Sequence, residues 1–369
     1  MTDPRMYWVG LNLVKGIGSV RFKALLDTFG DAESAWNASP EAWVQAGINP
    51  KITASFQRVR KGVSLDQVAE RIQSLGVSVL TWEEAAYPRR LKEIDQPPPV
   101  LYVRGTLLPE DDWAVAIVGT RRVTAYGRQV AEEVAASLAH SGVTVVSGLA
   151  RGVDSIAHQA AVNAGGRTLA VLGNGVDQVY PPENRRLADQ IMEHGAVLSD
   201  YALGTQPDGV NFPPRNRIIS GLSLAVVIVE AGLTSGALIT ATFAAEQGRD
   251  VFAVPGNITA PQSQGTNRLI RDGAQPLLSP QDVLEALNLT TVTEHHTVRA
   301  ALPTDPVEAR LFKLLSHEPM HVDEIRAQAD MPIETVSATL ALMELKGMVR
   351  QVGGMNYVAV RERPEAYDA

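Results

Sequence analysis

Several short segments of this chain combine arginine, small residues and hydroxyls in ways that suit an oxyanion. The first is Val118-Gly119-Thr120-Arg121-Arg122. Gly119 permits a tight turn, and free N–H groups in the turn and at the start of the next helix form an anion site. The segment is not a dinucleotide fingerprint, because Arg121 stands where close approach of a pyrophosphate requires a small residue. Nicotinamide cofactors are disfavoured, and no cofactor is expected. A second segment runs Ser147-Gly148-Leu149-Ala150-Arg151-Gly152-Val153-Asp154, with His158 beyond it. Asp154 and His158 share a helix face, and Ser147 or Ser155 stands near enough in sequence to suggest a nucleophile. No nucleophile elbow and no third orienting group accompany them. Asp154 is therefore read as a helix cap, His158 as a local packing group, and the chain as having no catalytic residue.

The third segment is Tyr180-Pro181-Pro182-Glu183-Asn184-Arg185-Arg186. Asn184 suits an N-cap. Arg185 and Arg186 fall in the first helical turn, where the helix dipole disfavours cations, and a residue placed against local preference marks a candidate site. The fourth segment is Asn211-Phe212-Pro213-Pro214-Arg215-Asn216-Arg217. Phe212 on a proline-stiffened turn can carry a stacked nucleobase, a contact contributing roughly 1–3 kcal/mol, or can pack in the core. Arg215 and Arg217 point to different faces of the helix start, so one is expected at phosphate and the other in a structural role. Glu230-Ala231-Gly232-Leu233-Thr234-Ser235-Gly236 then opens a helix whose small and hydroxylic N-terminus suits another phosphate. Arg268 begins the final helix of this stretch and is a secondary candidate, as are Arg151 and Arg186.

Alternating β and α runs must position these segments. Residues 113–288 carry apolar, β-branched strands at Trp113–Val118, Val143–Ser147, Thr168–Leu172, Val197–Ser199, Leu224–Val229 and Val251–Val254, separated by helical stretches. This is the pattern of a Rossmann-like, doubly wound α/β domain with a parallel sheet covered on both faces. Ligands in such folds bind beyond the carboxyl ends of the strands, where every segment above falls. Residues 1–80 read as a small helical domain. Lys15-Gly16-Ile17-Gly18 separates two of its helices and resembles the hairpin of helix-hairpin-helix modules, giving the domain a helix-hairpin-helix or SAM-like character in which the glycines let backbone N–H groups approach a DNA phosphate; an ordinary turn is the equal alternative. Residues 81–112 form a linker and edge segment, with Pro97-Pro98-Pro99 before a short strand at Val100–Val103. Residues 289–304, including His295-His296, read as a flexible linker without metal-ligand spacing. Residues 305–360 give three helices and a hairpin turned by Gly353-Gly354, the order of a winged helix. Its recognition helix carries Glu334 and Glu344 against only Lys346, which favours protein contact or packing over base readout.

The 369 residues are 45% hydrophobic and 20% charged, the balance of an ordinary globular protein. The absence of cysteine excludes disulfides and thiolate metal sites, and no metal is expected. No secretory signal and no run long enough to span a bilayer is visible, so a cytoplasmic, membrane-free location is expected. The net charge of −8 argues weakly against nucleic acid, but its distribution reverses the judgement: residues 111–280 hold 12 basic side chains, all of them Arg. Arg presents a planar fork to phosphate and stacks on bases, whereas Lys is a hydrated point charge.

Taken in order, Val118-Gly119-Thr120-Arg121, Ser147–His158, Tyr180-Pro181, Phe212–Leu222, Glu230-Ala231 with Ser235-Gly236-Ala237-Leu238, and Val251–Gly256 resemble the DNA-processing protein A family, also called DprA or Smf. The resemblance implies a protein that binds and protects single-stranded DNA, loads a RecA-type recombinase during natural transformation, and works as a homodimer built through the Rossmann-like domain. Carried over, Gly119, Thr120 and Arg121 match the family's DNA-binding turn, Arg185 a basic position after Tyr-Pro, and Phe212 a base-contacting aromatic. Some relatives place a Lys shortly before that Phe; here Asp208, Gly209, Val210 and Asn211 precede it, so that contact is absent or falls to Arg215 or Arg217. Two other classes compete. The Glu230–Gly236 stretch is similar to the loop of nucleotide phosphoribohydrolases of the lysine-decarboxylase-like family, but no Glu follows at the required offset, the next being Glu246. A recombination scaffold with weak DNA contact is the third reading. Duplex DNA as a partner of the terminal domains stays open.

Overall fold

The computed structural model describes residues 3–287, 305–315, 319–345, 348–352 and 355–359. The linker read at 289–304, with its two histidines, lies outside the described residues, as do Lys346 and the Gly353-Gly354 turn. The chain divides into two compact units, Met1–Thr290 and Thr291–Ala369.

In the first unit, helices α1 (Arg5–Asn12), α2 (Ser19–Phe29), α3 (Ala32–Asn37), α4 (Pro40–Gln45), α5 (Pro50–Gly62) and α6 (Leu65–Ser74) lead into strand β1 (Ser78–Thr81). Polar side chains start several of them: Asp31, Ser39, Asn49 and Ser64 each accept a backbone N–H of the following turn. A short helix α7 (Arg89–Lys92) and strand β2 (Val100–Gly105) follow. The doubly wound part is β3 (Ala114–Val118), α8 (Ala125–His140), β4 (Thr144–Ser147), α9 (Val153–Asn163), β5 (Thr168–Val171), α10 (Arg185–His194), β6 (Gly195–Ser199), α11 (Phe212–Gly221), β7 (Ala225–Ile228), α12 (Ala237–Glu246), β8 (Asp250–Ala253), α13 (Gln264–Arg271), β9 (Gln275–Pro276) and α14 (Pro280–Ala286).

The sheet order is β1-β2-β6-β5-β4-β3-β7-β8-β9. From β6 to β9 the strands are parallel, while β2 is antiparallel to β6 and β1 to β2. The edge strand expected at Val100–Val103 therefore closes the sheet as part of an antiparallel pair, and its partner Ser78–Thr81 was not foreseen. Alternation along β2 ties the layers together. Val100 and Tyr102 face a core shared with the N-terminal helices, including Trp8, Phe22 and Trp43; Leu101 and Val103 face the opposite core, with Leu91, Ile94, Ile218 and Val226. The Tyr102 hydroxyl also donates to Asn12 Oδ1 at 3.0 Å. Strand order reverses between β3 and β7, which makes their carboxyl ends the topological switch point where a crevice opens.

In the second unit, α15 (Pro306–Leu314), α16 (Val322–Ala329) and α17 (Ile333–Leu345) pack around Leu311, Ile325, Leu340 and Met343. Strands β10 (Met320–His321), β11 (Val349–Gln351) and β12 (Asn356–Ala359) form an antiparallel sheet in the order β10-β12-β11. Glu344, one of the two acidic groups on the expected recognition helix, accepts the Gln351 N–H at 2.9 Å and ties the helix to the hairpin. This is a winged helix, as the sequence order implied. Among the described residues no helix is long and apolar enough to cross a membrane.

Candidate nucleic-acid interface

The crevice at the switch point is a cavity of about 730 Å³. The turn after β3 supplies Gly119, Thr120, Arg121 and Arg122, and the segment before α12 supplies Thr234, Ser235 and Gly236. Between them lie Phe212, Arg215 and Asn216 of α11, with Tyr180 from the loop after β5. Nine of the sequence candidates thus meet in one place: Gly119, Thr120, Arg121, Phe212, Arg215, Asn216, Thr234, Ser235 and Gly236.

Glycines let the loops converge. A Cβ on Gly119 would lie 2.6 Å from Val153, and one on Gly152, at φ +80°, would lie 2.3 Å from the Thr120 carbonyl. At the end of β5 a Cβ on Gly173 would lie 2.8 Å from the Phe212 ring. Phe212 is accordingly half-buried, with one side packed on the strand end and the other on the cavity. Its ring stacks with Tyr180 at 5.8 Å between centroids and 27° between planes. The Arg121 guanidinium carbon lies 5.7 Å from the same ring and that of Arg215 5.9 Å. Tyr180, half of this stack, was absent from the sequence-derived site; its place in the loop before Pro181-Pro182 was the available signal.

The two arginines of α11 point to different faces, but both are engaged by protein, so neither stands free for the phosphate expected at one of them. Arg215 is 4% exposed. It donates to the carbonyls of Gly148 (3.0 Å) and Val171, locking the ends of β4 and β5 together. Burial pulls its pKa down to about 10, against the attraction of Asp154. Arg217 faces away and pairs with Asp200 at 2.8 Å, outside the cavity lining. The free guanidinium forks of the cavity are instead Arg121 and Arg122, both exposed and without an ion-pair partner among the described residues. Asn216 holds the start of α12 in place through Nδ2 to the Gly236 carbonyl at 3.3 Å.

Three local expectations are corrected. The anion site expected where α8 begins is filled from within: the Glu230 carboxylate accepts the Thr124 N–H (2.9 Å) and the Thr124 hydroxyl, and Gly127 is the residue whose missing Cβ leaves it room. The dipole of α8 is thus satisfied by a side chain from the β7 end rather than by a ligand. Asp154 does not cap α9. Its carboxylate turns back to accept Gly148 N–H (3.2 Å) and Ala150 N–H (3.3 Å), and burial raises its pKa, with Arg215 the main opposing influence. Asn184 precedes α10 but makes no side-chain cap; its Nδ2 donates to Leu149 O at 2.9 Å, a carbonyl displaced by the positive φ of Leu149.

The remaining candidates lie outside the cavity lining. Arg185 and Arg186 stand exposed on the first turn of α10. Arg151 pairs with Glu183, and Arg268 pairs with Asp272 at 3.3 Å. Lys15, Gly16 and Gly18 form the α1–α2 turn, where Gly16 has φ +99° and its carbonyl accepts from Arg21. The groups that had suggested a triad are occupied. Ser147 donates to Ile117 O at 2.6 Å, and Ser155 to Gly152 O at 3.0 Å. His158 is fully buried with Nδ1 2.6 Å from Thr168 Oγ1. The Thr168 hydroxyl donates to Val145 O, so His158 Nδ1 carries the proton. Burial takes the imidazole pKa down to about 3.

A Rossmann-like domain whose switch-point cavity joins exposed guanidinium forks to a stacked aromatic pair, in a chain that also carries a winged helix, is the architecture of a DNA-processing protein. The chain belongs to the DNA recombination-mediator protein A family, whose model matches residues 78–288, and the DprA winged helix domain matches residues 294–355. It is 38% identical to Protein Smf of Synechocystis over 95% of this chain and 98% of the relative. It is 46% identical to the DNA processing protein DprA of Streptococcus pneumoniae over 54% of this chain and 70% of the relative. The solved structure of that pneumococcal protein superposes with a TM-score of 0.67 at 34% identity, covering 77% of this chain and 98% of its own. DNA processing protein A from Helicobacter pylori, solved for its single-stranded DNA binding mode, gives a TM-score of 0.52 at 33% identity over 57% and 95% of the two chains.

Proposed function

We propose that this protein binds single-stranded DNA in the switch-point cavity, holds it without chemical change, and passes it to a RecA-type recombinase as a cytoplasmic homodimer. The observation that carries the reading is the Phe212 ring, half-buried, stacked with Tyr180, close to the Arg121 guanidinium and lining the cavity. An unpaired base has a free π-face for that ring, whereas a duplex keeps its bases stacked on each other. Arg121 and Arg122 beside it, with the start of α12, suit the phosphates on either side. The H. pylori relative's single-stranded DNA binding mode supports the same ligand. The recombinase step and the dimer rest on the family.

Absence of catalysis is supported by the commitments of the acid–base groups: Glu230 to the start of α8, Asp154 to loop N–H groups, His158 to Thr168. The test is competition between single-stranded and duplex oligonucleotides for the full chain, alongside release of free base from nucleoside monophosphates. Preference for the single strand with no base released is expected. Preference for duplex contradicts the ligand, and turnover above background contradicts the absence of chemistry.

A further inference from the structure

We infer that Arg151 is a second phosphate contact of this site, held in waiting by Glu183 and released when the incoming strand displaces that carboxylate. The inference rests on the single-strand reading above.

The loop that carries Arg151 is fixed at every backbone position around it. Asp154 accepts Gly148 N–H and Ala150 N–H, Arg215 donates to Gly148 O, and Asn184 donates to Leu149 O. The backbone of Gly152 lies against the Thr120 carbonyl with no room for a side chain. The Arg151 side chain is not part of this lattice. It is 58% exposed, and its ion-pair partner among the described residues is Glu183, itself 50% exposed. A fixed backbone carrying an exposed, charged end is what an exchangeable contact requires.

Its position supplies the ligand. Arg151 lines a narrow recess together with Arg121, Tyr180 and Phe212. That recess shares Arg121, Ala150, Tyr180, Phe212 and Arg215 with the main cavity, so the two adjoin at the aromatic pair. The recess itself holds only about 20 Å³, so a strand whose base rests on Phe212 would pass its backbone over the rim, within reach of the exposed Arg151 side chain. Glu183, just outside the recess lining, is the negative group that pairs with Arg151 among the described residues. Glu183 Oε1 takes a single contact, from Arg151 Nε; a phosphate offers the guanidinium two parallel contacts and greater charge, and an ion pair this exposed is weakly held. Exchange leaves Glu183 to solvent and counterions. Glu183 thus lowers affinity for isolated anions and favours a strand that both stacks on Phe212 and reaches Arg151.

The experiment compares wild type, Glu183→Gln, Glu183→Ala, Arg151→Ala and the Glu183→Gln/Arg151→Ala double variant. Anisotropy of labelled oligo-dT is read over a range of salt concentrations, with melting curves to confirm folding. Either Glu183 variant should tighten binding by about two- to fivefold. The salt slope should steepen by up to about 0.7, because Arg151 then neutralises a phosphate without first surrendering an internal anion. Arg151→Ala should weaken binding, and in that background the gain from Glu183→Gln should vanish. A gain that persists without Arg151 makes Glu183 a plain repulsive charge and overturns the inference, as does no gain from either Glu183 variant. Failure of wild type to bind oligo-dT at all would remove the single-strand reading itself, whereas normal wild-type binding with no response at Glu183 removes only the exchange.

Discussion

Replacing Arg121 by Ala isolates the contribution of one cavity guanidinium. The side chain is exposed and has no ion-pair partner among the described residues, so its loss should change stability by no more than about 0.5 kcal/mol. Binding is different. A hydrogen bond from a charged donor contributes about 1.5–3 kcal/mol, and the cation–π contact with Phe212, at 5.7 Å, adds about 0.5–1 kcal/mol to the arrangement of ring and fork at an exposed site. Solvent screening at the cavity mouth favours the lower end, so oligo-dT affinity should fall about 10- to 100-fold. One fewer neutralised phosphate should also shallow the slope of log affinity against log salt by about 0.7. Anisotropy titrations at several salt concentrations measure both quantities. Arg268→Ala is the control: that side chain is equally charged but pairs with Asp272 away from the cavity, and it should leave the slope unchanged. Equal effects at the two positions, or none at Arg121, would refute the assignment, because net charge rather than the cavity would then govern binding.

Other expectations follow from the same geometry. Phe212→Leu should cost about 1–3 kcal/mol of binding while keeping the salt slope, since it removes stacking and not charge; a changed slope in the titration contradicts this. Arg217→Met should destabilise the fold on the order of 3 kcal/mol in urea, because Asp200 is left without its cation in a largely buried setting; unchanged stability contradicts the structural role. His158 gives an acid-dependent term. Its folded pKa of about 3 lies below the unfolded value near 6.5, so the folded chain binds fewer protons between them. The stability this neutral imidazole permits is present above pH 6.5 and is lost progressively as pH falls toward 3. Denaturation of wild type and His158→Gln at pH 7 and pH 5 should therefore show the wild type losing more on acidification. Asp154, shifted the opposite way, is present in both and cancels in the difference; parallel losses contradict the buried neutral state.

Much of this site could be read from sequence because its parts sit at strand ends, and strand ends are announced by apolar runs stopping at glycines. Gly119 and Ser235-Gly236 fall together for that reason, while Phe212 was marked by its aromatic ring before Pro213-Pro214 at the start of α11. What escaped depends on contacts that no local pattern encodes. Glu230 reaches the start of α8 from more than one hundred positions away, so a turn that looks ready for an external anion is already supplied with an internal one. The roles of Arg215 and Arg217 are decided by Val171, Gly148 and Asp200, which belong to other strands. Asn184 and Asp154 are ordinary capping types diverted to the loop around Leu149, whose positive φ presents backbone groups to them. The antiparallel pair β1–β2 was half visible, because four residues beginning at Ser78 are too few to show alternation.

Photo-crosslinking tests most directly whether an unpaired base lies on the Phe212 ring. A single-stranded oligonucleotide carrying 5-iodouridine, bound to the full chain, irradiated and mapped by mass spectrometry, should form its main adduct on Phe212 or Tyr180. The same label inside a duplex should form little. Adducts confined to the α1–α2 turn or to the winged helix, with none at the aromatic pair, would contradict the account.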